Sequence, residues 1–396
     1  MITRRTVLFL GLSQLICWGI SYYLIAAFGE VIADELGWSG TLVYGGFSAA
    51  LIVMGLTSPL TGKLIDKYSG RFVMSAGSLL LAIGCAGIAL SQSVLAYYIS
   101  WIVLGFAMRL SLYDAAFATL VRIAGSGAKR SISQITLLGG LASTVFWPIG
   151  FFLSASFGWR AALLVYAGFA LLTLPLHLAI PKERFKESKT AEDLKSAAFE
   201  KLNLTGRERI YAGSLYAFIF TLLNFLNSAM SAHMIAILSG LGLAAAVSVW
   251  ISTLRGIGQS LARVGEILFG GRLHPFKLTI LASSLLPLCF AIGLFSGEFL
   301  ATAFIFAFLY GAGNGLMTIT RGSLPLVLFD NRTYGAFVGK LLVPSFLLSA
   351  IAPVFYTVII EQYGEQATLL FSVALAFIVF AATLWLKRRY TYTEAA

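Results

Sequence analysis

Long runs of uncharged, apolar residues recur from one end of this chain to the other, and they constrain its fold more than any other feature. They fall near residues 7–28, 40–60, 72–91, 95–121, 133–155, 161–180, 210–233, 242–262, 276–296, 299–320, 335–359 and 366–386. A helix needs about 20 apolar residues to cross the hydrocarbon of a bilayer, and each run is of that order. The composition agrees: 59% of the 396 residues are hydrophobic, 11% are charged, and the mean hydropathy is +0.87. A soluble domain carries about 25% charged residues, so this chain lacks the polar surface to cover itself in water. The expected fold class is an all-α integral membrane protein with twelve transmembrane helices.

The net charge of +11 is placed by topology, not by a nucleic-acid partner. With the N-terminus inside, one side of the membrane holds Arg4, Arg5, Lys63, Lys67, Arg71, Arg122, Lys129, Arg130, the basic residues of 182–209, Arg272, Lys277, Arg332, Lys340 and Lys387 to Arg389. The other side holds Arg160 with Glu30, Asp34, Glu35, Glu298, Glu361 and Glu365. Positive charge collects on the cytoplasmic side, so both termini are expected there, in an inner (cell) membrane. Thr3-Arg4-Arg5 before an apolar run is read as a flank and not a leader, because Val7–Phe28 runs 22 residues without a charge. Cys17, Cys85 and Cys289 lie singly inside apolar runs and are expected as buried thiols.

Residues 181–209 form the one long polar stretch, with eight basic and six acidic residues. It separates an N-terminal bundle, 1–180, from a C-terminal bundle, 210–396. It is either a solvated tether or, over Ala191–Leu204, an amphipathic helix on the bilayer surface. The halves echo each other. PIGFFLSASFGWRAALL at 148–164 parallels PVFYTVIIEQYGEQATLL at 353–370, a proline followed by an aromatic-Gly corner. This predicts two six-helix pseudo-repeats.

Between the second and third runs stands Gly62-Lys63-Leu64-Ile65-Asp66-Lys67-Tyr68-Ser69-Gly70-Arg71. It reads as a short, tight, water-facing loop whose glycines, Gly62 and Gly70, permit close backbone approach. The stretch resembles the G-x-L-x-D-R-x-G-R-[KR] loop of the major facilitator superfamily, through Gly62, Leu64, Asp66, Gly70 and Arg71, with Lys67 in the usual Arg place. The six-plus-six layout and the central basic linker fit that resemblance. The equivalent stretch at 269–277 keeps the glycines and the positive charge without an Asp. The resemblance implies two helical halves rocking about a midplane site, with Gly62, Asp66, Lys67, Gly70 and Arg71 as a gating motif. It also implies a cavity lined by spans 1, 4, 7 and 10.

Polar residues inside spans call for partners or a task. Arg109, mid-way along span 4, is either an anion-binding cation or a structural arginine satisfied by carbonyls and hydroxyls. Tyr113 is at i+4 and shares its face. Asp114 lies five residues on, about 140° round a straight helix, so it is expected to point away from Arg109. As the one acid deep in a span, it either carries a coupling proton or locks span 4 to the 62–71 loop. Arg255, Gln259 and Arg263 make a polar stripe in span 8, with Glu266 at i+3 from Arg263. Arg255 is the second candidate for holding an anion. Its i−4 neighbour is Ile251, whereas the monocarboxylate branch of the superfamily has an Asp there. Trp18 and Tyr22 in span 1 either stack on a substrate or pack. Asn224 and Asn227 in span 7 bond across helices or to a ligand. Asn314 in span 10 faces the cavity in this reading, and His233 is expected at the interface.

Two buried arginines against one acid make the expected substrate a small organic anion. The rival is proton-coupled efflux of a drug or metabolite through Asp114. Trp147-Pro148-Ile149-Gly150 after Gly139-Gly140 partly matches the span 5 run of drug antiporters and supports that rival. No nucleotide loop, metal-ligand cluster or nucleophile–base set appears in the sequence. The expectation is therefore a transporter and not an enzyme, a monomer without cofactors or bound metal, whose partners are a small-molecule substrate, protons and lipid, with no nucleic acid.

Overall fold

A computed structural model describes residues 2–124, 128–182, 202, 204–269, 273–329 and 343–391. The chain divides into two compact units, Met1–Lys195 and Ser196–Ala396. Among the described residues all regular structure is helical. Expectations that fall on 183–201, Gly270 to Arg272, Arg332 and Lys340 lie outside the described residues.

In unit 1, helix α1 (Arg4–Cys17) runs through a π-helical turn (Trp18–Tyr22) into α2 (Leu24–Leu36). There follow α3 (Gly40–Leu56), α4 (Ser58–Tyr68), α5 (Gly70–Leu90), α6 (Val94–Ser111), α7 (Tyr113–Ala124), α8 (Lys129–Gly140) and α9 (Ala142–Leu178). Helix starts are capped by hydroxyls: Thr3 accepts from the Thr6 amide, Ser39 from Leu42 and Ser93 from Ala96. Span 1 reaches Leu36, well past the expected residue 28, and carries its acids Glu30, Asp34 and Glu35 within the helix. Gly37 ends it in the left-handed conformation that closes many helices. Helix α1 packs on α8 and α9, α3 on α6, and α5 between α6 and α9. One apolar core cluster joins Leu10, Ile65, Met74, Leu120, Ile135 and Ile180.

Unit 2 holds α10 (Gly206–Gly240), α11 (Ala245–Phe269), α12 (Pro275–Gly293), α13 (Leu300–Leu328) and α14 (Val343–Thr391). Its pairings follow those of unit 1. Helix α10 packs on α14 as α1 does on α8 and α9, α11 on α13 as α3 on α6, and α12 bridges α13 and α14 as α5 bridges α6 and α9. The two aromatic-Gly corners share one backbone conformation, φ 79, ψ 156 at Gly158 and φ 81, ψ 177 at Gly364, and each breaks a long helix. Those dihedrals are open to glycine and strained for other residues.

Eight helical stretches among the described residues are long and apolar enough to span a membrane, and the pair α3–α4, bent by 59°, makes a ninth. Two of the eight, Arg130–Leu178 and Ser345–Tyr390, contain the glycine breaks. Helix α11 is not among them, since Arg255, Arg263 and Glu266 interrupt its apolar run.

Three expectations are corrected. The 62–71 stretch is not a loop: Gly62 to Tyr68 are the closing turns of α4, and the turn is a single residue, Ser69, at φ 76, ψ 153. A Cβ at Gly62 would meet nothing, so no close approach requires that glycine. One at Gly70 would sit 2.0 Å from Thr119 Oγ1, which fixes glycine there. His233 is not interfacial. It is buried inside unit 2 and its Nε2 bonds the Pro353 carbonyl at 2.8 Å. Leu202 and Leu204, at the end of the expected surface helix, are not helical. Their amides donate to the carbonyls of Val327 and Leu328, at 3.0 and 3.1 Å, and so cap the end of α13.

Candidate functional site

The polar centre of unit 1 is the break between α6 and α7. Leu112 leaves the helical region (φ −82, ψ −170), and the chain restarts when Ala115 and Ala116 donate to its carbonyl. The Ser111 carbonyl drops out of the ladder and takes a bond from Gln14 Nε2 at 2.8 Å. The break also turns Asp114 back. On a straight helix Arg109 and Asp114 would diverge; here Arg109 Nη1 meets Asp114 Oδ2 at 2.5 Å, and Nη2 donates to Ser58 Oγ at the start of α4. Asp114 is therefore not a deeply buried acid. Its side chain is 59% exposed, against 9% for Arg109. The arginine contributes a neutralised pair that ties two interrupted helices together.

Aromatic rings gather beside this break. The π-turn is closed by the Tyr23 amide bonding the Trp18 carbonyl at 3.1 Å. Trp18 lies 4.9 Å, ring to ring, from both Tyr22 and Tyr113. Tyr113 stacks on Phe117, and its hydroxyl donates to the Thr136 carbonyl at 3.3 Å. Trp147 Nε1 donates to the Tyr23 carbonyl at 3.1 Å, where the π-turn ends.

Unit 2 holds a different arrangement. Arg255, on α11, is fully buried. Its Nη2 donates to Asn227 Oδ1 at 2.8 Å and to Ser231 Oγ at 2.7 Å, and the guanidinium lies 5.3 Å from the Tyr310 ring centroid. These groups are an amide, a hydroxyl and a π-face, none of them charged. Helix α11 reaches this place because α13 lets it in: a Cβ at Gly311 would stand 2.0 Å from the Arg255 carbonyl oxygen, and one at Gly315 2.6 Å from that of Gln259. Gly311-x-x-x-Gly315 is the small-residue spacing that lets membrane helices touch. Asn224 does not join this group and bonds Ser345 Oγ instead. Asn314 is half-buried, its carbonyl accepting from the Thr318 hydroxyl at 2.6 Å. Arg263 is buried and donates to Thr318 Oγ1 at 3.3 Å.

The motif residues have structural partners of their own. Arg71 Nε donates to the Ile180 carbonyl at 2.6 Å and Arg122 to the Lys182 carbonyl at 3.0 Å, so both hold the chain just past the end of α9. Lys67 lies over the Tyr68 ring, and Asp66 is exposed with no ion pair among the described residues. Arg160 bonds the Ala89 and Ser91 carbonyls at the end of α5 and pairs with Glu35, which also accepts from Trp159 Nε1.

Sequence reasoning missed Ser231 and Tyr310, which complete the Arg255 group, and Gln14 and Ser111 at the helix break. Ser231 was within reach, standing four residues after Asn227 on one helix face. It also missed His177, whose Nδ1 bonds Ser78 Oγ at 2.8 Å while that hydroxyl bonds Thr173 Oγ1 at 2.7 Å, all buried.

Comparison with known proteins places this chain. Residues 10–339 match the family model described as Major Facilitator Superfamily. Monocarboxylate transporter 11 of Mus musculus is 25% identical over 167 residues, a match that spans 40% of this chain and 36% of that protein. Among solved structures, the D-xylose–proton symporter superposes with a TM-score of 0.75 at 14% identity, covering 96% of each chain. The nucleoside transporter NupG gives 0.69 at 15% identity, covering 97% of this chain and 99% of its own. A bacterial homolog of the human lysosomal transporter Spinster gives 0.68 at 14%, covering 98% and 97%. At these identities the structures speak for the fold.

Proposed function

The chain belongs to the Major Facilitator Superfamily, a family of multi-pass membrane transporters, and on that premise we propose that it is a secondary active transporter moving a small organic anion by alternating access. Counting α11 as a span and dividing α9 and α14 at Gly158 and Gly364 brings the spans to twelve. The recurring helix pairings and the twin glycine corners support two six-helix pseudo-repeats, 1–180 and 210–396, joined by a cytoplasmic linker over 181–209. The protein is read as a monomer in the inner membrane with both termini in the cytoplasm. Gly62, Asp66, Lys67, Gly70 and Arg71 bias the two states of the cycle.

The observation that carries the substrate class is Arg255. It sets a fully buried guanidinium among Asn227, Ser231 and the Tyr310 ring, and a buried cation inside a span is a place for anion recognition. Arg109 is the weaker candidate, because Asp114 already answers its charge. The sequence likeness to a monocarboxylate transporter points the same way.

The second reading, proton-coupled efflux, draws on the Arg109–Asp114 pair. A proton on the accessible Asp114 carboxyl would release Arg109 and loosen the two helix breaks it joins, which is a coupling step in outline. Thermal unfolding of the purified protein in detergent separates the readings, with small carboxylates and lipophilic cations tested on wild type, Arg255→Gln and Asp114→Asn. A ligand at 100 times its Kd stabilises the folded state by about 2.7 kcal/mol. Stabilisation by a carboxylate in wild type and Asp114→Asn, absent in Arg255→Gln, supports the anion carrier, and flux in liposomes follows. Stabilisation by cations alone, unchanged in Arg255→Gln and lost in Asp114→Asn, overturns it in favour of efflux.

A further inference from the structure

The two glycine corners share a backbone and differ in what surrounds it. In unit 1 the residues after Gly158 are Trp159 and Arg160, and the guanidinium fills the place where the end of α2, the end of α5 and the corner of α9 meet. Arg160 Nη1 donates to the Ala89 carbonyl at 2.7 Å and to the Ser91 carbonyl at 3.0 Å, and its Nε meets Glu35 Oε1 at 3.2 Å. Trp159 Nε1 donates to Glu35 Oε2 at 2.7 Å, and its ring centroid lies 4.2 Å from the guanidinium.

The corresponding elements meet in unit 2. Gly364 matches Gly158, and the left-handed Gly242 after α10 matches the left-handed Gly37 after α2. That register puts Gly240 in the place of Glu35, Glu365 in that of Trp159 and Gln366 in that of Arg160. An amide stands where unit 1 has its cation. Here the elements enclose a cavity of about 470 Å³, lined by Gly240 at the end of α10, Leu294 after α12, Glu298 before α13, and Tyr363, Glu365 and Gln366 at the corner. No basic side chain lines it. The Glu365 carboxylate lies so close against Gly240 that an added Cβ would collide with Oε1. It therefore sits at the C-terminus of α10, the negative end of the helix dipole. Among the described residues neither Glu298 nor Glu365 makes an ion pair or a side-chain hydrogen bond.

Two carboxylates beside a helix C-terminus make a site rich in acceptors and without a positive donor to answer them. Unit 1 shows the donor that suits this place, a planar guanidinium that serves carbonyls and a carboxylate at once. We infer that the cavity binds a small guanidinium-bearing cation, with Glu298 and Glu365 accepting its N–H groups and Tyr363 offering a ring face. In the twelve-span reading above, the corner faces the outer side of the membrane, and the ligand arrives from there. The site shares no residue with the Arg255 group and prefers the opposite charge, so it stands apart from the anion reading.

The test uses the purified full chain in detergent at constant ionic strength, with thermal unfolding followed against methylguanidinium, tetramethylammonium and calcium. Methylguanidinium is expected to raise the unfolding temperature of wild type in a saturable way. Glu298→Gln and Glu365→Gln should each weaken its apparent affinity about tenfold, as the loss of one charge-assisted hydrogen bond does. Glu298 is exposed, so its variant serves if Glu365→Gln fails to fold. Gln366→Arg supplies the cation from the chain itself; it is expected to melt above wild type and to stop responding to methylguanidinium. Tetramethylammonium carries the charge without N–H donors and is expected to bind about tenfold more weakly than methylguanidinium. The inference is overturned by no response to methylguanidinium, by a response that the glutamate variants leave unmoved, by an equal response to tetramethylammonium or calcium, or by a Gln366→Arg protein that responds as wild type does. The carboxylate titrations that decide the anion reading are separate measurements, so either reading fails without the other.

Discussion

Three glycines on α13 give a graded test of how the Arg255 group is assembled. An alanine Cβ at Gly311 would stand 2.0 Å from the Arg255 carbonyl oxygen, one at Gly315 2.6 Å from that of Gln259, and one at Gly322 would meet nothing within 4 Å. Backbone cannot swing aside as a side chain can. Bringing the Gly311 contact out to an ordinary 3.0 Å or more requires α11 and α13 to part by about 1 Å, given how little a packed interior yields. That displacement moves the stretch of α11 that carries Arg255 and so disturbs its bonds, now 2.8 and 2.7 Å, to Asn227 and Ser231 on α10. Overpacking of this kind costs about 1–3 kcal/mol. Alanine inside a helix is otherwise better than glycine by about 1 kcal/mol. The expected order of stability is therefore Gly322→Ala at or above wild type, Gly315→Ala below it, and Gly311→Ala lowest. Denaturant or thermal unfolding in detergent measures that order, and anion-induced stabilisation should vanish in Gly311→Ala first. A Gly311→Ala protein as stable as Gly322→Ala would refute the close packing of α11 on α13.

Other consequences are checked by the same unfolding assays. Ser69→Gly should stabilise by about 1 kcal/mol, since φ 76 strains a serine and suits glycine; Ser69→Ala should give no such gain. Ser78→Ala leaves Thr173 and His177 without their shared hydroxyl and should lower stability by about 1–3 kcal/mol. Asp114→Asn should cost about 1–2 kcal/mol, less than the loss of a fully buried pair because the carboxylate is 59% exposed, and the loss should shrink as salt rises.

The helical, multi-pass character of the chain and its two glycine corners were legible because they rest on hydropathy and on glycine. Long apolar runs need no context to be read, and the paired corners at Gly158 and Gly364 announced themselves by repetition. The site was less legible, because its geometry comes from departures that leave no mark in the sequence. Leu112 breaks span 4 with neither proline nor glycine at or beside it, and that break reverses the expected orientation of Asp114. The positive φ fell on Ser69 although glycine stood next to it. Set against G-x-L-x-D-R-x-G-R-[KR], Ser69 occupies the place of the second glycine and Gly70 that of the first terminal basic residue. Arg255 was identified as polar in an apolar run; of its partners on other helices, Ser231 could have been found from its place four residues after Asn227, whereas only packing could reveal Tyr310.

The π-turn at Trp18–Tyr22 has a consequence for anyone mapping span 1 residue by residue. One residue beyond the helical count rotates everything after it by about 100°. A cysteine-accessibility scan along this span is a periodic signal, and its period will hold on both sides of the turn while its phase will not. Positions before Cys17 and after Leu24 must be fitted as two waves; a single wave drawn through both would assign half of the span to the wrong environment.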